Sequence, residues 1–444
     1  MPEVTSAPAV KGQLGLRDIT LFAIGCIIGT RWIPAAAHAG PGSVTLWLAA
    51  AVFFALPLAV ATGALTVKYP GCAGGLYAWT RGDFGAWHGF LCFWVYWIGI
   101  AFLLPTAALF YMGAGFYALG PSYAHLADNR FCLLAAALVA IWIALGTNLV
   151  GLGIGKWTQN IGAGAAWLLG AVLVLLAVLV GMKRGSATPI HVLPQWNWGT
   201  VNFWSNIAYG MSGVEMAAMM GAAIHNPART LPRAGWISSG FATVFYSATT
   251  VAMLVLLRPE KISELNGLAE AGESAGLALG AMWLPPLIAV LVMVSAVGQF
   301  GGTGTSVSQM PFAAGVDNLL PSAFARVHPR WGTPYVSILT FGAVASFLLL
   351  IFQLGDSLRA AYQEMVSLMV ITGFLPYLYI FASAWKAGKR ISAISGTAIT
   401  VLAILCSLVP TEAIGNVWLF EGKLAAGTIA VIASAWLMYR RRAR

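Results

Sequence analysis

Twelve apolar stretches separated by short polar intervals run along the chain, at roughly 19–40, 43–67, 86–118, 131–152, 158–182, 201–224, 234–257, 283–312, 334–354, 360–385, 392–410 and 424–439. Most of them approach or exceed the ~20 residues that an α-helix needs to cross a bilayer. The pattern predicts an all-α integral membrane protein with 12 transmembrane helices. Two stretches are interrupted by glycine. Span 1 reads Gly25-Cys26-Ile27-Ile28-Gly29-Thr30-Arg31, and span 6 reads Tyr209-Gly210-Met211-Ser212-Gly213-Val214-Glu215. Glycine in a helix interior costs about 1 kcal/mol relative to alanine, so paired glycines mark where a helix comes undone. Irregular backbone at membrane depth is tolerated only where it is buried in protein or lines a cavity.

The two interruptions lie about 184 residues apart and enter the membrane from opposite sides. That arrangement predicts an inverted repeat of five plus five helices: a first repeat at 19–182, a second at 201–385, and appended helices 11 and 12 at 392–439. A tail at 1–18 and a basic tail at 440–444 flank them.

Composition agrees with the pattern. The chain is 59% hydrophobic and 9% charged, with a mean hydropathy of +0.81, against about 25% charged residues in ordinary soluble domains. The net charge of +10 would suggest nucleic acid, but its distribution excludes that reading. Sixteen of the 24 Lys and Arg fall in the tails and in the loops on their side, seven fall on the opposite side, and Arg31 is the remaining one. By the positive-inside rule both termini are cytoplasmic, in a bacterial-type inner membrane. Residues 1–16 lack the compact apolar core of a cleaved signal, so the first stretch is a membrane helix. The five cysteines show no C-x-x-C spacing and the six histidines pair with no other ligand type, which predicts neither metal nor cofactor. The acidic interval 258–274 and the interval 183–200, with Trp196 and Trp198, read as solvated surface on the far side.

Arg31 and Glu215 are the two charged residues deep inside apolar stretches, each two positions after a glycine. An ionisable group at that depth costs roughly 2.5–3.5 kcal/mol, which marks it as functional by default. Free N–H groups at the span 1 break and the Arg31 fork suit a carboxylate, and free carbonyls around Gly210–Gly213 suit an ammonium. Together they describe a receptor for a zwitterion. The alternative for Arg31 is an ion pair with Glu215 or a side chain that snorkels outward; Glu215 reads as a proton-sensitive or gating group. Tyr96 and Trp97 lie in the middle of span 3, where one of the two lines the cavity. Span 8 is loosened over Gly298-Gln299-Phe300-Gly301-Gly302-Thr303-Gly304-Thr305-Ser306, which suits close helix packing or a site. Gly210-Met211-Ser212-Gly213 also matches a G-x-S-G protease motif. Every histidine falls at a span end or in a loop, and His225 lies about 20 Å from Ser212 along the helix, so the enzyme reading fails.

In their order and spacing, several segments resemble the amino acid–polyamine–organocation superfamily. They are Gly25 to Gly29, then Tyr69-Pro70-Gly71-Cys72-Ala73-Gly74-Gly75-Leu76-Tyr77-Ala78-Trp79 with Phe84-Gly85, and Gly213-Val214-Glu215 with Asn226-Pro227-Ala228-Arg229-Thr230-Leu231-Pro232. Asp317-Asn318-Leu319-Leu320-Pro321 with Phe324-Ala325-Arg326-Val327, Gly332-Thr333-Pro334 and Leu375-Pro376-Tyr377-Leu378-Tyr379 complete the set. The resemblance covers spans 1–10. It implies a LeuT-like fold and alternating-access transport of amino acids or related amines. Carried over by position, it puts the substrate carboxylate at Thr30 and its neighbouring backbone and the ammonium at carbonyls near Tyr209 and Gly210; together with the residue reading, the expected substrate site comprises Ile28, Gly29, Thr30, Arg31, Tyr96, Tyr209, Gly210, Met211, Ser212, Gly213 and Thr303. Tyr209 stands where arginine/agmatine antiporters have a gating tryptophan, and Glu215 at their proton-sensing glutamate; Arg31 and Trp97 join Glu215 in coupling and gating.

Two departures shape the expectation. Gly29-Thr30-Arg31 replaces the usual small-small-Gly, and the Arg31-Trp32 pair resembles a bacterial subgroup near the glutamate/γ-aminobutyrate antiporters. The span 5 lysine of proton-coupled members corresponds to Ala166, so coupling by that lysine is excluded; Thr305 and Ser306 offer hydroxyls for sodium, and counter-substrate exchange is the other route. The expectation is a non-enzymatic secondary carrier of acidic or neutral amino acids, in which spans 1, 2, 6 and 7 rock against the rest. A polyamine or organic amine transporter and a non-transporting amino acid sensor are the alternatives.

Overall fold

The computed structural model describes residues 14–442 except 71–74, 151, 190–192, 195–196, 219–223, 317–318 and 354–356, with the side chains of residues 121, 152–159, 302–310, 312–316 and 442 also outside the description. The first element, α1 (Leu16–Ile27), stops where Ile28 turns extended, at φ −76° and ψ 108°. The chain resumes as α2 (Trp32–His38), bent by 53° from α1. Span 2 is α3 (Ser43–Ala50) joined through a π-turn at Ala51–Ala55 to α4 (Leu56–Lys68), and a short polar helix, α5 (Leu76–Phe84), leads into α6 (Ala86–Phe116). Then come α7 (Arg130–Val150), α8 (Leu152–Arg184), α9 (Trp198–Gly210), α10 (Val214–Ala218) and α11 (Pro227–Leu256). The remainder is α12 (Gly267–Leu279), α13 (Leu284–Val316), α14 (Tyr335–Phe352), α15 (Leu358–Lys386), α16 (Arg390–Ser407) and α17 (Val417–Arg442).

Among the described residues, ten helices are long and apolar enough to cross a membrane, and the bent α1–α2 pair makes up to 11. The sixth expected span corresponds to α9 and α10, each too short alone, separated by Met211–Gly213. Four pairings exhibit the internal symmetry. Span 3 (α6) packs on span 10 (α15) and span 8 (α13) on span 5 (α8); span 1 (α1) packs on span 7 (α11) and span 6 (α9, α10) on span 2 (α3, α4). Exchanging the first five spans for the second five maps each pairing onto another. The pairings thus have the symmetry expected of two five-helix repeats.

Burial separates an inner from an outer set. In α6 and α15, 83% and 78% of the most apolar window is buried, against 17% in α17 and 28% in α7. A helix apolar all round is buried in protein or faces lipid, and the chain uses both solutions. Gly298 of span 8 serves packing: a Cβ there would stand 2.7 Å from the Gly162 Cα of α8. Close backbone contact between the two helices thus depends on glycine.

The acidic interval 258–274 departs from the solvated loop that its charges suggest. Residues 267–279 form α12, which buries Leu268, Ala271 and Ala275. Those positions recur at helical spacing and bury against α13, while Glu270 and Glu273 mask the pattern in the sequence. Of the two tryptophans expected on that side, Trp198 opens α9 and is exposed; Trp196 lies outside the described residues.

Candidate functional site

The two breaks touch. Gly213 adopts φ +120°, and a Cβ there would lie 3.0 Å from the Cys26 carbonyl carbon and oxygen. Only glycine permits both that dihedral and that approach. Gly210 lies under Trp32 and Trp47, and Gly29 under Trp32 and Gln299.

Unwinding leaves backbone groups without helical partners, and the structure assigns most of them. Tyr246 of α11 clamps the span 1 break: its hydroxyl accepts from the Gly29 N–H at 2.9 Å and donates to the Ile27 carbonyl at 2.8 Å. Trp47 stacks on its ring at 4.2 Å. The N–H groups of Trp32 and Ile33 return to the carbonyls of Gly29 and Thr30. The N–H groups of Thr30 and Arg31 have no acceptor among the described residues. The Thr30 hydroxyl lies 3.4 Å from that of Tyr111 and 3.3 Å from that of Ser295. At the span 6 break the Tyr209 carbonyl accepts from the N–H and the hydroxyl of Ser212, at 3.0 and 2.6 Å. It is engaged rather than free. The carbonyls of Gly210, Met211 and Ser212 have no donor among the described residues.

The two buried charges do not pair with each other. Arg31 is 2% exposed. Its Nη1 donates to Thr106 Oγ1 of α6 at 2.6 Å, its Nη2 to the Met369 thioether of α15 at 2.9 Å, and its guanidinium carbon lies 3.9 Å from the Trp32 ring centroid. Its Nε has no partner among the described residues. No carboxylate among the described residues forms an ion pair with it. Glu215 is 1% exposed and fully occupied. Its Oε1 accepts from Tyr96 at 3.0 Å and from Tyr377 at 2.9 Å, and its Oε2 from the Gly213 N–H at 2.9 Å.

The structure gathers Ile28, Gly29, Thr30, Arg31, Tyr209, Gly210, Met211 and Gly213 as buried residues at the breaks, with Ser212 half-buried. Tyr209 packs against Trp32 and Phe374, and a Cβ at Gly373 would meet its ring at 2.4 Å. Tyr96 joins the site through Glu215. Trp97 faces Trp94 and Phe341 of α14 instead. The side chains of Thr303, Thr305 and Ser306 lie outside those described. Ala166 packs against Ile24 and Ile28, so an apolar contact with span 1 stands at the position compared above with a lysine. Thr106, Tyr111, Tyr246 and Met369 went unmarked in the sequence, since each lies in an uninterrupted apolar span. Tyr377 is part of the Leu-Pro-Tyr segment, which marks its position without its role. Among the described residues no group of His, Cys, Asp and Glu is placed to hold a metal.

Residues 14–433 match the amino acid permease family. An uncharacterized transporter of Legionella pneumophila is 27% identical over 456 residues, 97% of each chain. A probable agmatine/putrescine antiporter of Lactococcus lactis, AguD, is 24% identical over 77% of this chain and 72% of its own. The glutamate/serine transporter AimA of Bacillus subtilis is 24% identical over 85% and 72%. The crystal structure of MhsT in complex with L-phenylalanine superposes with a TM-score of 0.61 at 13% identity, covering 93% of this chain and 99% of that one, and shows the same LeuT fold. The chain is a multi-pass membrane transporter belonging to the amino acid permease family, within the amino acid–polyamine–organocation superfamily.

Proposed function

We propose that the protein is a secondary carrier that takes an acidic or neutral amino acid by its carboxylate at the span 1 break and moves it across the cytoplasmic membrane by alternating access. One observation carries this reading: a fully buried guanidinium with an unpartnered Nε and no carboxylate partner among the described residues. A buried ion without its counter-ion costs several kcal/mol. A substrate carboxylate at Arg31 and at the free N–H groups of Thr30 and Arg31 would supply the missing anion. The ammonium would meet the free carbonyls of Gly210, Met211 and Ser212. Glu215, saturated by its donors, supports a gating rather than a ligand role. Thr30, Arg31 and Glu215 are each at most 2% exposed, so binding needs a rearrangement of spans 1 and 6 with spans 2 and 7. The excess of basic residues on the face bearing the termini supports a cytoplasmic position for that face.

The relatives divide on substrate: the name of AimA favours amino acids, that of AguD amines. The uncompensated charge on Arg31 opposes a bare amine. A melting screen of purified protein against amino acids and amines, with and without sodium, tests the reading. A ligand at about 100 times its Kd stabilises by about 2.7 kcal/mol. Stabilisation of wild type by an amino acid, absent from Arg31→Ala, is the expected result. Stabilisation by amines alone would refute it.

A further inference from the structure

The partners of Arg31 are unequal. Thr106 spends its own proton on the carbonyls of Phe102 and Leu103, at 3.0 and 2.9 Å, and therefore accepts from Nη1. Trp32 offers only its ring face. The partner of Nη2 is a thioether, a weak acceptor, on a side chain that is 0% exposed. Of the neighbours, Met369 alone occupies an N–H of the guanidinium with an atom that a carboxylate oxygen would replace to advantage. Span 10 thus presents a neutral side chain at the one buried cation of the site.

Resting on the reading that Arg31 receives the substrate carboxylate, we propose that residue 369 sets the charge of the substrate: the Met369 thioether keeps neutral the place where a built-in acid would cancel Arg31. Glutamate has nearly the reach of methionine, so Met369→Glu would set a carboxylate against Nη2 and complete a buried ion pair. The site would then repel a substrate carboxylate and tolerate a cation. Selectivity between amino acids and amines is decided on span 10, away from both breaks.

The test is a titration of the purified full chain with L-glutamate, L-serine, agmatine and putrescine, on wild type, Met369→Leu, Met369→Gln and Met369→Glu. Met369→Leu, which adds no charge and removes only a weak acceptor, keeps amino acid affinity within about threefold. Met369→Gln, a neutral oxygen acceptor that competes for the fork, weakens it about tenfold. Met369→Glu weakens it about 100-fold or more, since an unfavourable charge contact costs several kcal/mol, and retains or gains amine binding. Size-exclusion profiles and melting temperatures identify any variant that fails to fold; if Met369→Glu fails, Met369→Gln decides alone. Unchanged amino acid affinity in folded Met369→Gln and Met369→Glu overturns the inference and leaves the carboxylate reading standing. A wild type that binds amines but no amino acid overturns both.

Discussion

Arg31 and Glu215 stand at corresponding breaks of the two repeats, equally buried, and their surroundings differ in kind. Glu215 is held by two tyrosine hydroxyls, from α6 and α15, and by a backbone N–H of its own break. Arg31 rests on a hydroxyl, a thioether and an indole face, with its Nε unused among the described residues. A buried charge whose hydrogen bonds are complete belongs to the architecture. A buried charge whose bonds are incomplete implies a partner that arrives from outside. Burial alone does not distinguish the two cases; the count and chemistry of partners does.

The sharpest way to break the comparison is to remove each charge. Glu215→Leu leaves three buried donors without acceptors, at about 1–3 kcal/mol each, so a loss of about 3–9 kcal/mol is expected. Arg31→Met removes an uncompensated charge, and stability stays level or rises by about 1–4 kcal/mol. Denaturation of the detergent-solubilised variants measures both, and equal losses would erase the distinction. Next in size, Tyr377→Phe and Tyr96→Phe each cost about 1–3 kcal/mol, because each removes a buried hydrogen bond to Glu215. Their effects should be non-additive, since the two share Oε1 of Glu215. Tyr246→Phe, which strips the clamp from the span 1 break, should cost about 1–2 kcal/mol in the same assay.

The smallest effect lies on the face away from the termini. Burial pushes the Glu264 carboxyl up to about 7, against a hydrogen bond from Gln363 and the charge of Arg359. The folded state therefore holds this proton more tightly than the unfolded chain, whose carboxyl keeps its ordinary value of 4.5. Stability from this group is fully present below about pH 4.5 and declines as pH rises through about 7. Melting temperature followed across that window should fall in wild type and flatten in Glu264→Gln.

Much of this was legible in the chain. Gly25 to Arg31 and Gly210 to Glu215 are local patterns, and both breaks are found where glycine spacing places them. The partners were not legible. Thr106, Tyr246 and Met369 reach their contacts across 75, 217 and 338 residues, and no periodicity in an all-apolar span says which side faces a break. The reading of Arg31 and Glu215 as an ion pair fails for the same reason, since each finds other partners on α6 and α15. Helix α12 was hidden by its own acids: Glu270 and Glu273 made an amphipathic helix resemble a solvated loop.

The most direct test of the central claim is a titration of wild-type protein with the amino acid selected by melting and with its decarboxylated amine, which differ only in the group Arg31 would bind. The account predicts measurable binding of the amino acid and affinity for the amine lower by about 100-fold, the scale of a lost charge-assisted bond in a buried site. Equal affinity for the two would contradict it and return Arg31 to the structural charges.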